Sequence, residues 1–190
     1  MNTESLPEFY MITGKYTDHN DFKNKLTHAL IQGNKVVQFR NKNISDADEY
    51  LALAKIAESL CHQFNAILLL ATSLEIFNQS NADGLHLSSQ VLFEYHSRPV
   101  SDQQLLSVSC HNLKEMKQAE KLGADILLLS PVKETSSHPG VPGIGWQEFK
   151  AIIQPLNCPV YALGGMQATD LADAKKAGAQ GIAAISSFWQ

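Results

Sequence analysis

Arg40 and Lys42, in the stretch Gln38-Phe39-Arg40-Asn41-Lys42, place a guanidinium and an ammonium close together at the end of an apolar run. Such a pair suits a phosphate or diphosphate, because arginine grips oxyanions through two parallel hydrogen bonds while lysine acts as a point charge. Taken singly, either cation is more often a solvated strand end. A second constellation lies near the C-terminus, where Ala162-Leu163-Gly164-Gly165-Met166 closes one run and Ala184-Ile185-Ser186-Ser187 closes the next. Paired glycines let backbone N–H groups approach an anion. Thr169 and Asp170 open a helix whose N-terminus adds positive potential, and the serines supply hydroxyls and amides beside it. A Gly-Gly by itself more often marks a tight turn; its pairing with the serines favours an anion seat.

Two histidines stand where strands should end, His86 in Asp83-Gly84-Leu85-His86-Leu87 and His111 in Ser107-Val108-Ser109-Cys110-His111. An imidazole there can donate to a heterocycle or shuttle a proton near neutral pH, and it serves equally as a hydrogen-bonded interior group. Cys110 adjoins His111, but successive strand residues face opposite ways, which argues against a thiolate–imidazole pair. The stretch from Ser130 to Gly140, with Thr135, Ser136, Ser137 and His138, has the hydroxyls and turn formers of a lid over a binding site; the alternative is a plain solvent loop. His19, His28, His62 and His96 read as helix-surface or loop residues without metal-ligand spacing. Cys61, Cys110 and Cys158 lack the paired spacing of zinc sites and read as free core thiols in a reducing compartment.

The elements that must hold these groups are short apolar runs separated by helix-like segments. Strands are expected at Phe9–Thr13, Lys35–Arg40, Ala66–Ala71, Gly84–Leu87, Leu106–Ser109, Ile126–Leu129, Val160–Leu163 and Gly181–Ile185. Each is too apolar to leave one face in water, which points to parallel strands covered on both sides. Start signals are Ser45 ahead of Asp46, Asp48 and Glu49, and Asn112 ahead of Lys114–Leu122 with Glu115 three residues on. Gly33, Gly123 and Gly178 mark helix ends. The segments from Asn81, Gly123 and Gly178 into the next strand repeat one helix-to-strand connection. Eight such steps predict a single (β/α)8 barrel over residues 1–190, with the site at the C-terminal ends of the strands. An open doubly wound sheet is the competing architecture. The chain is short for a barrel, so Ser88–Arg98 is expected to be a reduced fourth helix and Ser186–Gln190 to leave almost no eighth.

A net charge of -4 and the absence of any basic block give no track for nucleic acid or an anionic membrane, and the 44% hydrophobic content is enough for one core. No cationic, apolar leader and no membrane-length apolar stretch stand in the sequence. A cytoplasmic protein with a small-molecule ligand is expected, in a form that leaves homo-oligomers open.

Read in order, Gln38–Lys42, Ala82–Leu87, Ser107–His111, Ser130-Pro131-Val132, Ala162–Met166 and Ala184-Ile185-Ser186 resemble the thiamine-phosphate synthase family, over about Phe9 to Trp189. The wording of Ser109–Phe149 and of Phe188-Trp189 looks closest to synthase-like domains fused behind a Nudix hydrolase. The resemblance implies coupling of an aminopyrimidine diphosphate to a thiazole phosphate, with magnesium and loss of diphosphate through a carbocation-like step. It assigns diphosphate to Arg40 and Lys42, the pyrimidine pocket to Gln38 and His86, and the thiazole phosphate to Gly164, Gly165, Ile185 and Ser186, with Ser109 a further substrate-binding residue. Thr135 falls in the lid, where His138 replaces an expected lysine.

Two departures bear on the chemistry. Ala71-Thr72 stands where the family has an Asn-Asp pair, and Val91 where it has a metal-binding aspartate. Magnesium takes one or two carboxylates plus substrate oxygens, so no protein metal site is expected, and Mg2+ enters only if synthase activity survives. A related branch of the fold tautomerises the thiazole carboxylate phosphate with a histidine after the sixth strand. Pro131 stands there, leaving His111 or His138 to take over proton transfer. Three functions follow: a weakened synthase, a non-catalytic binder of a phosphorylated heterocycle that works beside a separate Nudix hydrolase, or a barrel acting on another phosphorylated metabolite.

Overall fold

A strand that is apolar on both faces must be covered on both, and eight of them satisfy this by closing on one another. The computed structural model describes residues 6–41, 43–44, 46–135 and 140–190. Its strands are β1 (Phe9–Ile12), β2 (Val36–Phe39), β3 (Ile67–Leu70), β4 (Gly84–Leu87), β5 (Leu105–Cys110), β6 (Ile126–Leu129), β7 (Val160–Leu163) and β8 (Gly181–Ala184). They pair in parallel and in sequence order, and β1 meets β8 through Tyr10↔Ala183, closing the barrel. The open doubly wound alternative is thereby excluded.

Alternation along each strand divides the apolar residues into two layers. Tyr10, Ile12, Val36, Leu69, Leu105, Ile126, Leu128, Tyr161 and Ala183 fill the barrel interior. The intervening residues, among them Met11, Val37, Leu68, Leu85, Val108, Leu127 and Ile182, pack outward against the helices.

Several expected strands run a residue beyond the observed ladder. At the β1–β2 rim the reason is visible: the Thr13 hydroxyl donates to the Arg40 carbonyl at 3.1 Å and accepts the Arg40 N–H at 2.9 Å. A side chain thus continues the pairing where the backbone ladder stops.

The helices are α1 (His19–Ile31), α2 (Ala47–Gln63), α3 (Leu74–Phe77), α4 (Leu113–Lys121), α5 (Gly145–Ile153) and α6 (Leu171–Lys176). Asn112 caps α4 by accepting the Glu115 N–H at 3.0 Å, as its spacing foretells. For α2 the cap is Asp46, not Ser45: the Asp46 carboxylate accepts the N–H groups of Asp48 and Glu49 at 2.8 and 3.0 Å, a charged acceptor at the positive end of the helix. Ser45 lies outside the described residues. Gly33, Gly123 and Gly178 end their helices at positive φ (92°, 86° and 96°), where a Cβ would be strained.

As expected, β4 is followed only by a 3-10 turn, Leu92–Glu94, and β8 by a short turn. The single turn of α3 after β3 is a further reduction that the sequence did not announce. Aromatic side chains cover what an eighth helix would otherwise cover. Phe188 packs edge-on against Phe9 at 5.4 Å, and Trp189 lies 5.6 Å from the Phe22 ring on α1. The Trp189 indole donates to the Lys15 carbonyl at 2.9 Å, and a Cβ on Gly14 would come within 2.7 Å of that indole. Among the described residues no helix is long and apolar enough to cross a membrane.

Trp189 is 7% exposed. Trp189→Ala should therefore lower the unfolding free energy by roughly 3 kcal/mol, through lost burial and a cavity beside Phe22. Urea unfolding followed by circular dichroism measures it, and a change below about 1 kcal/mol would show that the aromatic cover is dispensable.

Candidate functional site

Because alternate residues of every strand point inward, the last inward residue of each strand faces the mouth of the barrel. A cavity of about 1170 Å³ opens there, at or above the upper end of ordinary small-ligand pockets and large enough for two heterocycles. Gln38, Arg40, His86, Ser109, His111, Thr135, Gly164, Gly165, Ile185 and Ser186 all line it. Lys42, and Ser136, Ser137 and His138 of the expected lid, lie outside the described residues.

Arg40 leaves β2 with its backbone clamped by Thr13, which aims a half-buried guanidinium at the cavity. Burial draws its pKa below the usual arginine value, but the group stays charged. Among the described residues its side chain makes no ion pair or hydrogen bond. Gln38, two residues earlier and 2% exposed, has a buried Oε1 without a hydrogen-bond partner among the described residues. A buried amide oxygen left unpaired calls for a donor from a ligand or water.

His86 is the centre of a polar cluster. Its Nε2 lies 2.9 Å from Ser109 Oγ and its Nδ1 2.9 Å from Ser107 Oγ. Behind them the Tyr10 hydroxyl lies 3.2 Å from Ser107 Oγ. Burial, aided by the charge on Arg40, pushes the His86 pKa down to about 3, so the ring is neutral. His111 is placed differently. Its ring Nδ1 is 2.9 Å from the Ser130 carbonyl, and its backbone N–H donates to Glu115 Oε2 at 2.7 Å. A carbonyl only accepts, so the neutral ring carries its proton on Nδ1, with Nε2 as the basic atom. Cys110 points away into the outer core, as strand alternation requires.

The glycine doublet has a packing cause of its own. The loop after β6 runs beside it, with Val132 N–H donating to Leu163 O at 2.9 Å and Lys133 N–H to Gly164 O at 3.1 Å. A Cβ at Gly164 would meet Pro131 at 2.8 Å, one at Gly165 would meet the Glu134 carbonyl at 2.5 Å, and both have positive φ. The N–H groups of Gly165 and Ser186 donate to no acceptor among the described residues, so they remain open to an anion at the mouth. The helix following the doublet opens as a 3-10 turn at Ala168. Asp170 accepts the Gln167 N–H at 3.0 Å and pairs with Lys133 at 2.7 Å, pinning the β6 loop to the β7 loop. Burial opposes ionisation of Asp170, but Lys133 and the Gln167 amide outweigh it and keep its pKa below the usual value.

Ala71, Thr72 and Val91 line the same cavity. They offer a methyl, one hydroxyl and an isopropyl group, which do not fit a magnesium ion. Among the described residues no group of three or more His, Cys, Asp or Glu side chains could hold a metal.

Tyr10 and Thr13, the placing of Ser107 behind His86 and the pairing of Lys133 with Asp170 are site-forming features that the sequence left unmarked. Ser107 shares the face of Ser109 by alternation and could have been found that way. Tyr10 carries no such signal.

The chain matches the family model described as thiamine monophosphate synthase over residues 9–188. It is 37% identical to an Aquifex aeolicus protein carrying the provisional name thiamine-phosphate synthase 2, across 96% of this chain and 98% of that one. Thiamine-phosphate synthase of Fusobacterium nucleatum is 28% identical across 95% of this chain and 88% of its own. Among solved structures, thiamine phosphate pyrophosphorylase from Pyrococcus furiosus superposes with a TM-score of 0.79 and 25% identity, covering 94% of this chain and 85% of that one.

In the unfolded chain His86 takes up a proton near pH 6.5, and in the fold only near 3. Between these values the unfolded state binds the extra proton, so the His86 contribution to stability is full above 6.5 and declines as pH falls towards 3. His86→Gln removes that proton, and its urea midpoint should decline less steeply over this window. Parallel curves for variant and parent would mean that the folded imidazole titrates normally.

Proposed function

The chain belongs to the thiamine monophosphate synthase family, and on that premise we propose that it holds both partners of the synthase coupling but turns them over slowly. In this reading thiazole phosphate sits on the amides and hydroxyls of Gly165 and Ser186, with Ile185 against the ring. The aminopyrimidine lies beside Gln38, His86 and Ser109, and its diphosphate faces Arg40, with Lys42 as a second cation. The observation that carries the reading is the set of groups at one mouth: a backbone-clamped guanidinium and a rim of amides that have no partner among the described residues, and a neutral imidazole, all lining one cavity.

The chemistry follows from charge. Loss of diphosphate leaves a carbocation-like pyrimidine methylene and a developing polyanion, and groups fixed in advance around that anion lower the barrier. When bound, magnesium would neutralise the departing oxygens. Arg40 and Lys42 supply part of that effect, and Ala71, Thr72 and Val91 supply none. A Lewis-acid contribution of several kcal/mol corresponds to roughly a thousandfold in rate. The neutral His86 adds no positive charge against the cationic carbon.

The same deficit favours a second reading, a binder of phosphorylated heterocycles without turnover. The likeness of Ser109–Phe149 and Phe188-Trp189 to domains fused with Nudix hydrolases supports a separate hydrolase of that kind as its partner.

Two measurements decide between them. Thiazole phosphate at about a hundred times its Kd should stabilise the fold by about 2.7 kcal/mol and raise the melting temperature by roughly 5–10 °C. Ser186→Asp places a negative charge at an exposed rim position and should abolish that rise. No shift with thiazole phosphate would remove the ligand assignment. Restoring the Asn-Asp pair and the second acid through Ala71→Asn, Thr72→Asp and Val91→Asp together should raise magnesium-dependent formation of thiamine phosphate at least about a hundredfold. A folded triple variant no faster than the parent would favour the binder.

A further inference from the structure

Three polar atoms meet behind the His86 ring: the Tyr10 hydroxyl, Ser107 Oγ and His86 Nδ1. They are separated by 3.2 Å (Tyr10–Ser107), 2.9 Å (Ser107–His86) and 3.5 Å (Tyr10–His86). Tyr10 and Ser107 are both 0% exposed, and among the described residues neither hydroxyl has a partner outside this triangle. Two hydroxyl hydrogens must therefore find acceptors within it.

Only one ring tautomer permits this. With Nδ1 as a lone pair, Ser107 donates to Nδ1 and Tyr10 donates to Ser107 Oγ, so every hydrogen is used. With a proton on Nδ1, the ring donates into the triangle and one hydroxyl hydrogen, on Tyr10 or on Ser107, meets nothing. A buried O–H without an acceptor is strongly disfavoured. Neither group escapes by ionising, because burial keeps the imidazole neutral and raises the phenol pKa.

The consequence appears on the cavity side. His86 Nε2 lies 2.9 Å from Ser109 Oγ, which has no other partner among the described residues. We propose that Tyr10 and Ser107 act as positioning residues that lock His86 with its proton on Nε2, so that Ser109 accepts from the ring and presents its own hydroxyl hydrogen to the ligand. The wall at Ser109 then selects an acceptor, such as an aromatic ring nitrogen, over a C–H or N–H group at the same place. This selectivity rests on the reading of the cavity as a heterocycle site; the lock itself does not.

Nitrogen NMR of the full chain labelled with 15N-histidine reads the tautomer directly, without ligand. His86 should show a protonated Nε2 and an unprotonated Nδ1, and the opposite assignment would overturn the lock. In Tyr10→Phe combined with Ser107→Ala no hydroxyl is left to be orphaned, so the Nδ1-protonated fraction should rise about tenfold; an unchanged fraction in a folded protein would overturn the lock. Selection is measured by calorimetry with an aminopyrimidine and the aminopyridine isosteres in which one ring nitrogen is C–H. The parent should prefer the pyrimidine roughly tenfold over one isostere. Ser109→Ala should erase that preference while keeping the tautomer. Equal affinities in the parent would overturn the selectivity. Failure of all these compounds to bind would overturn the heterocycle reading and the selectivity with it, leaving the NMR result to decide the lock.

Discussion

The two-residue repeat of a parallel strand governs this molecule. Closing eight short strands into a barrel forces one set of alternate residues inward and the other outward, and at the C-terminal mouth the inward set becomes the site. Gln38 and Arg40, Ser107 and Ser109, and Leu163 and Gly165 are each two residues apart for that reason. The deeper member of a pair lies further into the barrel, as buried Gln38 does at the cavity floor, and the shallower one stands at the rim. A polar residue one position out of phase would stand in the outer apolar layer, as Cys110 does between Ser109 and His111.

Much of this could be read from residue types because burial on both faces leaves a strong compositional mark. Gly84–Leu87, Ile126–Leu129 and Val160–Leu163 begin and end where their apolar runs do. The rim residues were legible for the same reason: Arg40, His86, Ser109 and Ser186 are polar groups that terminate apolar runs. What could not be read depends on closure across the barrel. Tyr10, on β1, reaches Ser107, on β5, from 97 residues away. No local pattern records which strands become opposite walls. The cap of α2 failed on a finer point, since Ser45 and Asp46 are both capping types and only the turn geometry chooses between them. The single turn of α3 was missed because its few residues carry too little periodicity to distinguish a full helix from a fragment.

The glycine doublet illustrates how one motif serves two demands. Its positive φ values and the close backbone of Pro131 and Glu134 already require glycine at both places. An anion seat there uses a conformation that packing imposes, so the doublet alone would have been a poor guide to function. Its value as a signal comes from Ser186 in the turn after the neighbouring strand and from Arg40 across the mouth, neither of which packing explains.

The aromatic cover formed by Phe188 and Trp189 ties the mouth to the outside of the barrel. The turn that carries Ser186 continues directly into these rings, and the Trp189 indole is fastened to the loop after β1. The order of the turn bearing Ser186 therefore rests in part on aromatic packing outside the barrel. Warming should loosen that cluster before the strands separate, giving a range of temperature in which the barrel persists but the turn bearing Ser186 has lost its order.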